Sequence, residues 1–181
     1  MFFDILRQKS TKFYDKTNLK TCNCFHVRGN YLIMKYEFSK GTLAIVPNDE
    51  SSSLIYEDDE RYIINEKPFN IMDESCKYFG SSYEGRKEGS KSILGAEYKV
   101  PIVVEDTENL IVFPTTSPYA DDCVWISLKR ISNIYKIDAC NSKIVFDNNK
   151  EIIVPCSFRS LENQLARASR LDLILRNRKN S

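Results

Sequence analysis

The feature that most constrains the fold is a series of short apolar segments that begins at Tyr31 and continues through most of the chain. Each segment is rich in Ile, Val, Tyr or Phe and is bounded by Gly, Pro, Asp or Ser, which is typical of β-strands. The segments read "YLIMKYEF", "GTLAIVP", "RYIINEKPFNIM", "VPIVVE", "NLIVFPTT", "CVWISLKRISNIYKID", "KIVFD" and "KEIIVP". They predict a β-rich domain with an antiparallel or mixed sheet.

The last two of these segments flank the pair Asn148-Asn149. Asparagine tolerates the positive φ angles of a tight turn better than most residues do. The pair therefore predicts a β-hairpin with a two-residue link near the end of the sheet-forming part of the chain.

Two helices are predicted within this β-rich chain, which makes the fold class α+β. A short mid-chain helix covers about residues 81–94, with Ser81 or Ser82 as its N-cap and Gly95 as its end. A C-terminal helix covers about residues 157–176 and follows Pro155. At helical spacing its apolar and polar side chains separate onto opposite faces. The apolar face holds Phe158, Leu161, Leu165 and Ala168, and the polar face holds Arg159, Asn163, Arg167 and Arg170.

Beyond Arg170 the C-terminal helix loses this amphipathic pattern. Its next apolar residues point in nearly all directions, and a helix that is apolar all round must be covered. We expect these residues to pack against a second copy of the chain, and the alternative is a groove of their own domain. The residues are Leu171, Leu173, Ile174 and Leu175.

The pattern of apolar and polar residues divides the chain into two parts. Residues 1–30 form an extension that is loosely structured or a short helix, and residues 31–181 form a single domain. No stretch of about 18 apolar residues is present, so no membrane partner is expected. Asp4 interrupts the first apolar residues, which argues against a secretory signal. The 6 cysteines are about 3% of the chain, far below the content of a disulfide scaffold, which fits a reduced, cytoplasmic protein.

Residue spacing or a missing motif argues against several kinds of catalytic, nucleotide-binding or metal site. A P-loop needs four residues between its glycines and Lys directly after the second, but three residues separate Gly85 from Gly89, and Ser90 follows. Cys22, Cys24 and the single His26 make at most half of a metal site. No G-x-S-x-G nucleophile motif occurs. We therefore expect no enzyme, no metal and no cofactor.

Charge is segregated along the chain although the formal net charge is only +1. Residues 48–60 carry six acids and no base, whereas residues 157–181 carry six bases against two acids, a net of +4. Lys87 and Lys91 share a face of the mid-chain helix beside Arg86. Such basic patches suit a polyanion partner, although solvated surfaces also carry them.

Nucleic acid is the partner that this pattern favours. Gly85 and Gly89 leave one side of the mid-chain helix bare, which permits close approach of a ligand; the alternative is that the glycines pack against the sheet. Serine hydroxyls and N–H groups at a helix start suit phosphate. The predicted DNA contacts are Ser81, Ser82, Arg86, Lys87, Lys91, Lys129, Arg130, Asn163, Arg167 and Arg170.

Five segments of the sequence, in collinear order, resemble the ComK family, the competence transcription factors of low-GC Gram-positive bacteria. The matching segments are "INEKPFNIMDESCKY" (64–78), "FGSSYEGRKEG" (79–89), "VPIVVEDTENLIVFPT" (100–115), "CVWIS" (123–127) and "SLENQLAR" (160–167). The residues that fall on the family's motif are Gly80, Ser81, Ser82, Tyr83, Gly85, Arg86, Lys87, Gly89, Glu162, Asn163, Gln164 and Arg167.

The resemblance implies a transcriptional activator of DNA-uptake genes that binds A/T-rich boxes in duplex DNA, largely through the minor groove, as a homodimer or higher oligomer. It implies a cytoplasmic, nucleoid-associated protein, with RNA polymerase as a further candidate partner. The alternatives are an interaction module that regulates transcription without touching DNA and a nucleotide-using enzyme. The DNA-contacting roles are inferred from charge and position, because the resemblance supplies only the motif.

Overall fold

The computed structural model describes residues 36–180 and the backbone of two short strands, His26–Arg28 (β1) and Tyr31–Ile33 (β2), which pair antiparallel. Most of the predicted extension over residues 1–30 lies outside the described residues. Cys22 and Cys24, which with His26 make at most half of a metal site, also lie outside the described residues.

An antiparallel sheet of 6 strands forms the centre of the domain, in the order β5-β4-β3-β8-β7-β6. Its strands are Thr42–Pro47 (β3), Ser53–Glu57 (β4), Arg61–Ile64 (β5), Ile102–Glu105 (β6), Leu110–Pro114 (β7) and Trp125–Ser127 (β8). These strands fall in the predicted apolar segments, and the predicted α+β class is confirmed.

A second antiparallel sheet has 3 strands in the order β11-β10-β9, formed by Ile131–Lys136 (β9), Ser142–Phe146 (β10) and Glu151–Val154 (β11). The predicted hairpin joins β10 to β11, but residues 147–149 form its link. The amide of Phe146 donates to the carbonyl of Lys150 at 2.8 Å, and only Asn149 of the asparagine pair has a positive φ, of 64°. One left-handed residue closes a three-residue link, so the predicted two-residue link is wrong.

One predicted strand, "CVWISLKRISNIYKID", is divided between the two sheets. The 3-10 turn Leu128–Arg130 follows β8 directly and leads into β9 of the other sheet. Leu128 and Ile131 are three residues apart and both pack against the same core, which is the period of a 3-10 turn rather than of a strand.

In the described part of the chain, three α-helices accompany the sheets: Pro68–Tyr78 (α1), Tyr83–Leu94 (α2) and Phe158–Lys179 (α3). Helices α2 and α3 confirm the two predicted helices. The Ser82 hydroxyl accepts a hydrogen bond from the amide of Gly85, and the Ser157 hydroxyl accepts one from the amide of Ser160. Gly95 ends α2 with a φ of 64°.

Helix α1 is a correction to the sequence analysis, which placed residues 61–72 in a strand. Only Arg61–Ile64 is a strand, and Pro68 then begins a helix at the position where proline is best tolerated. Ile71, Met72 and Ser75 are buried at spacings of one and three residues, which is a helical pattern rather than an alternating one.

The central sheet has two covered faces. Helices α1 and α2 cover one face, where Tyr83 packs edge-to-face on the fully buried Trp125 at 5.8 Å between ring centroids. The three-stranded sheet and α3 cover the other face, where Leu161, Ala168 and Leu171 enter the core. This arrangement leaves the outer side of α3 facing solvent.

Candidate nucleic-acid interface

The outer side of α3 carries the exposed polar row that the sequence predicts. Arg159, Asn163, Arg167 and Arg170, which we call the basic row, are all exposed, while Leu161, Gln164, Ala168 and Leu171 on the inner side are buried. Because one helix carries the whole row, its members keep a fixed spacing along a nearly straight line.

Three members of the basic row are free within the described structure. Among residues 36–180, Arg159, Asn163 and Arg170 have no hydrogen-bond or ion-pair partner. Arg167 donates from Nη1 to the carbonyl of Tyr98 at 3.0 Å, so only part of its guanidinium is engaged. The basic row therefore presents two unpaired arginines, one partly engaged arginine and one free asparagine on a rigid helix.

Gln164 anchors α3 beside this row. Its Nε2 donates to the carbonyls of Lys99 and Pro114, both at 2.9 Å, and its side chain is buried. A buried amide bound to two backbone carbonyls restrains the helix against both sliding and rotation. The basic row is therefore held in place by the packing of α3 on the core and by the hydrogen bonds of Gln164.

Arg86, a predicted DNA contact on α2, is turned toward the protein. Its Nη1 lies 2.7 Å from Oδ2 of Asp106 in the β6–β7 turn, and its Nη2 donates to the carbonyl of Phe79 at 2.8 Å. The side chain is only 13% exposed. Arg86 thus ties α2 to the central sheet.

Arg130, predicted in the same role, is more fully engaged. Its Nε donates to Asp147, its Nη2 donates to Asp147 and Asp58, and its Nη1 donates to Asp58 and to the carbonyl of Lys40. Every nitrogen of the guanidinium has a protein partner, and the side chain is 15% exposed. The bond from Arg130 holds the pKa of Asp58 below its usual value.

The remaining predicted lysines are paired at the surface. Lys87 lies 3.0 Å from Glu84, and Lys91 lies 2.8 Å from Glu97. The pKa of Glu84 is lowered, first by the hydroxyl of Tyr119 and then by Lys87. Exposed ion pairs of this kind contribute little stability, about 0 to 1 kcal/mol, so these lysines can exchange partners.

Lys129 is exposed and donates to the backbone carbonyl of Glu108 at 2.6 Å. A neutral carbonyl is a weaker partner than a phosphate for an ammonium group. Lys129 therefore remains a candidate contact, as a point charge beside the β6–β7 turn.

The start of α2 is open to solvent. Gly85 and Gly89 are both exposed, so the alternative in which they pack against the sheet is wrong. A Cβ added at Gly89 would meet nothing within 4 Å, whereas one at Gly85 would lie 2.7 Å from the hydroxyl oxygen of Ser81. Ser82 is exposed, but its hydroxyl already caps the helix.

The apolar end of α3 divides between core and surface. Leu171 is fully buried in the domain's own core, and Leu175 packs against that core. Leu173 is 59% exposed, and Ile174 is partly exposed. The surface that remains for a second copy therefore consists of Leu173 and Ile174, which we call the apolar patch.

The sequence analysis did not single out Tyr98, which is 83% exposed in the loop between α2 and β6. A usable signal was present, because an aromatic residue between Gly95 and Pro101 has no strand or helix face on which to bury its ring.

The cavity beside α1 suits a polyanion poorly. This cavity of about 260 Å³ is lined by three carboxylate residues, Glu66, Asp73 and Glu74, along with Lys77.

Among the described residues, no three His, Cys, Asp or Glu side chains converge as metal ligands. No helix in residues 36–180 combines the length and apolar character needed to cross a membrane.

Comparison with known proteins agrees with the resemblance seen in the sequence. The family model for the ComK protein matches residues 33–180. The competence transcription factor of Bacillus subtilis (strain 168) is 34% identical over 137 residues, which cover 74% of this chain and 71% of the relative. No solved structure matches the chain significantly.

Proposed function

This chain belongs to the ComK family and is a regulator of competence transcription, and we propose that it acts by binding A/T-rich duplex DNA with the basic row of α3. The observation that carries the proposal is the row itself. Arg159, Asn163 and Arg170 are exposed and have no partner among the described residues, and Arg167 is only partly engaged.

The chemistry of the row suits the minor groove of A/T-rich DNA. Such DNA has a narrow minor groove with an enhanced negative potential, which attracts inserted Arg side chains. The groove distinguishes A·T from G·C but hardly distinguishes A·T from T·A. Three arginines and one asparagine on a single helix face supply phosphate contacts and a few base-edge donors.

The other predicted contacts separate into two groups. Arg86 and Arg130 hold elements of the fold together, and we assign them structural roles. Lys87, Lys91 and Lys129 are secondary contacts, because surface ion pairs and carbonyl contacts are readily exchanged for phosphate. Ser81 and Ser82 at the open start of α2 remain candidate phosphate ligands.

The test of this function is binding of the wild-type protein to A/T-rich and G/C-rich duplexes of equal length across a salt series. We expect tighter binding to the A/T-rich duplex, and affinity that falls linearly with the logarithm of salt concentration. Footprinting with a minor-groove probe should show protection within the A/T-rich boxes.

Two outcomes would contradict the proposal. Absence of binding to every duplex at low salt would favour the interaction module that regulates transcription without DNA contact. Equal affinity for both duplexes, with protection confined to the major groove, would leave DNA binding intact but would remove the A/T-rich minor-groove mode.

We further propose that the protein dimerises through the apolar patch. Leu173 and Ile174 lie on the exposed part of α3, about one turn beyond the last member of the basic row. A two-fold interface uses the same patch on both copies, so it would bring two basic rows together on two half-sites. Charges introduced into the patch should disrupt it.

The variant Leu173→Glu/Ile174→Glu is therefore expected to shift the protein toward monomer in size-exclusion chromatography with light scattering. The matched control is Ala166→Glu/Ser169→Glu, which adds the same charge at exposed positions of the same helix. Should both variants keep the oligomeric mass of the wild type, or should the wild type itself be monomeric at high concentration, this interface is excluded.

A further inference from the structure

We propose that Tyr98 is the aromatic contact of the DNA surface, and that its ring stacks against a base at a step that the bound protein opens. This inference rests on the proposed function, because it concerns the same surface. The side chain of Tyr98 is 83% exposed, and within residues 36–180 neither its ring nor its hydroxyl has a partner.

Two side chains of α3 hold the loop that carries Tyr98. Arg167 donates to the carbonyl of Tyr98 at 3.0 Å, and Gln164 donates to the carbonyl of Lys99 at 2.9 Å. Before the tyrosine, Glu97 makes only a surface ion pair with Lys91, at 2.8 Å. The two bonds from α3 therefore hold the backbone that presents the Tyr98 side chain.

The backbone after Tyr98 is also strained. Lys99 has a φ of 50°, which is uncommon for a residue with a Cβ. Such a conformation persists only where surrounding contacts impose it, and these positions cluster at binding sites. Here the contacts are the bond from Gln164 and a bond from Nζ of Lys99 to the carbonyl of Thr115 at 3.2 Å.

The backbone of Tyr98 lies beside the basic row. Arg167 touches the backbone of Tyr98, and Asn163 and Arg170 lie one turn before and one turn after Arg167 on the same face of α3. A duplex bound along the row would therefore meet the tyrosine next to its phosphate contacts. An aromatic ring can stack on any base, and TA steps in A/T-rich DNA unstack easily.

The other exposed tyrosines have partners that Tyr98 lacks. The hydroxyl of Tyr119 donates to Glu84. The hydroxyl of Tyr135 accepts a bond from Asn133, and the ammonium of Lys143 lies 5.4 Å from its ring centroid. Tyr135 is thus a matched control, since it is exposed but its hydroxyl and its ring already have partners in the protein.

The experiment compares Tyr98→Ala, Tyr98→Phe and Tyr135→Ala with the wild type on an A/T-rich duplex that contains 2-aminopurine at a TA step. Because 2-aminopurine brightens when it unstacks, its fluorescence should rise when the wild type binds. We expect Tyr98→Ala to bind roughly tenfold more weakly with an unchanged salt slope and to lose the fluorescence rise. Tyr98→Phe and Tyr135→Ala should behave like the wild type.

The possible failures are distinguishable. If the wild type binds DNA and Tyr98→Ala shows the same affinity and the same fluorescence rise, the role of Tyr98 is overturned while the proposed function stands. Equal losses in Tyr98→Phe and Tyr98→Ala would also overturn stacking, because the phenylalanine ring retains it. A wild type that binds no duplex overturns both proposals. Thermal melting verifies that the exposed substitutions leave the fold intact.

Discussion

The double variant Arg159→Ala/Arg170→Ala is expected to bind an A/T-rich duplex about 100-fold more weakly than the wild type at low salt. Each arginine would lose a charge-assisted contact worth about 1.5 kcal/mol, and about 3 kcal/mol corresponds to this factor. The slope of log affinity against log salt should flatten by roughly 2, because each phosphate contact contributes about 0.9. Fluorescence anisotropy across a salt series measures both quantities.

The matched control for this experiment is Lys77→Ala/Lys136→Ala. It removes the same charge from α1 and from β9, two elements that do not carry the basic row. The control should keep more of the affinity and of the salt slope. Salt screens the attraction between DNA and a lysine that does not contact it, so the loss of such a lysine should weaken binding less. If the two double variants weaken binding equally, only the net charge matters, and the basic row is not the contact surface.

Neither arginine makes a contact that the fold would lose on substitution, so the variant is expected to isolate binding. Both side chains are exposed and have no partner among the described residues. Substitutions at such surface positions usually change stability by less than about 0.5 kcal/mol. A large drop in melting temperature would therefore show that these arginines have structural partners.

Local patterns in the sequence predicted the features that depend on local physics. The capped ends of α2 and the amphipathic face of α3 follow from residue spacing, and the basic row was read correctly as an exposed line. The apolar pattern of residues 61–72 predicts one strand and does not reveal helix α1, whose start depends on Pro68 as the first helical residue.

The partners of the cations could not be read in the same way. Arg86 meets Asp106 twenty residues away, and Arg130 meets Asp58 seventy-two residues away, so only the folded topology brings these groups together. One pairing did have a local signal, since Glu84 and Lys87 are three apart on a helix. In the same way, only the packing of the sheets against one side of α3 decides that Leu171 is buried and Leu173 is exposed.

Arg130→Ala is expected to destabilise the protein by about 2 to 3 kcal/mol, a value reduced for the exposure of its two aspartates. Arg130 joins the β4–β5 turn, through Asp58, to the β10–β11 link, through Asp147, and thereby connects the two sheets. Its removal leaves both carboxylates without the guanidinium that pairs with them. For a domain of this size the melting temperature should fall by roughly 5 to 10 °C.

The effect of Arg130 should depend on pH, with a sign that follows from Asp58. The folded-state pKa of Asp58 is lowered by the bond from Arg130, so its stabilising contribution is present above the unfolded pKa and is lost as pH falls through the folded value. The stability difference between wild type and Arg130→Ala should therefore be largest near neutral pH and shrink below about pH 4. Chemical denaturation at pH 7 and pH 3 measures it.

Two further variants decide whether this role is structural. Arg130→Lys keeps the charge but cannot reproduce the fork of bonds to Asp58 and Asp147, so it should recover only a small part of the lost stability. Lys129→Ala removes the neighbouring exposed cation and should melt like the wild type. If Arg130→Ala instead melted normally and lost its affinity for duplex DNA, Arg130 would be a DNA contact, because its bonds to the two sheets would then contribute nothing that the fold requires.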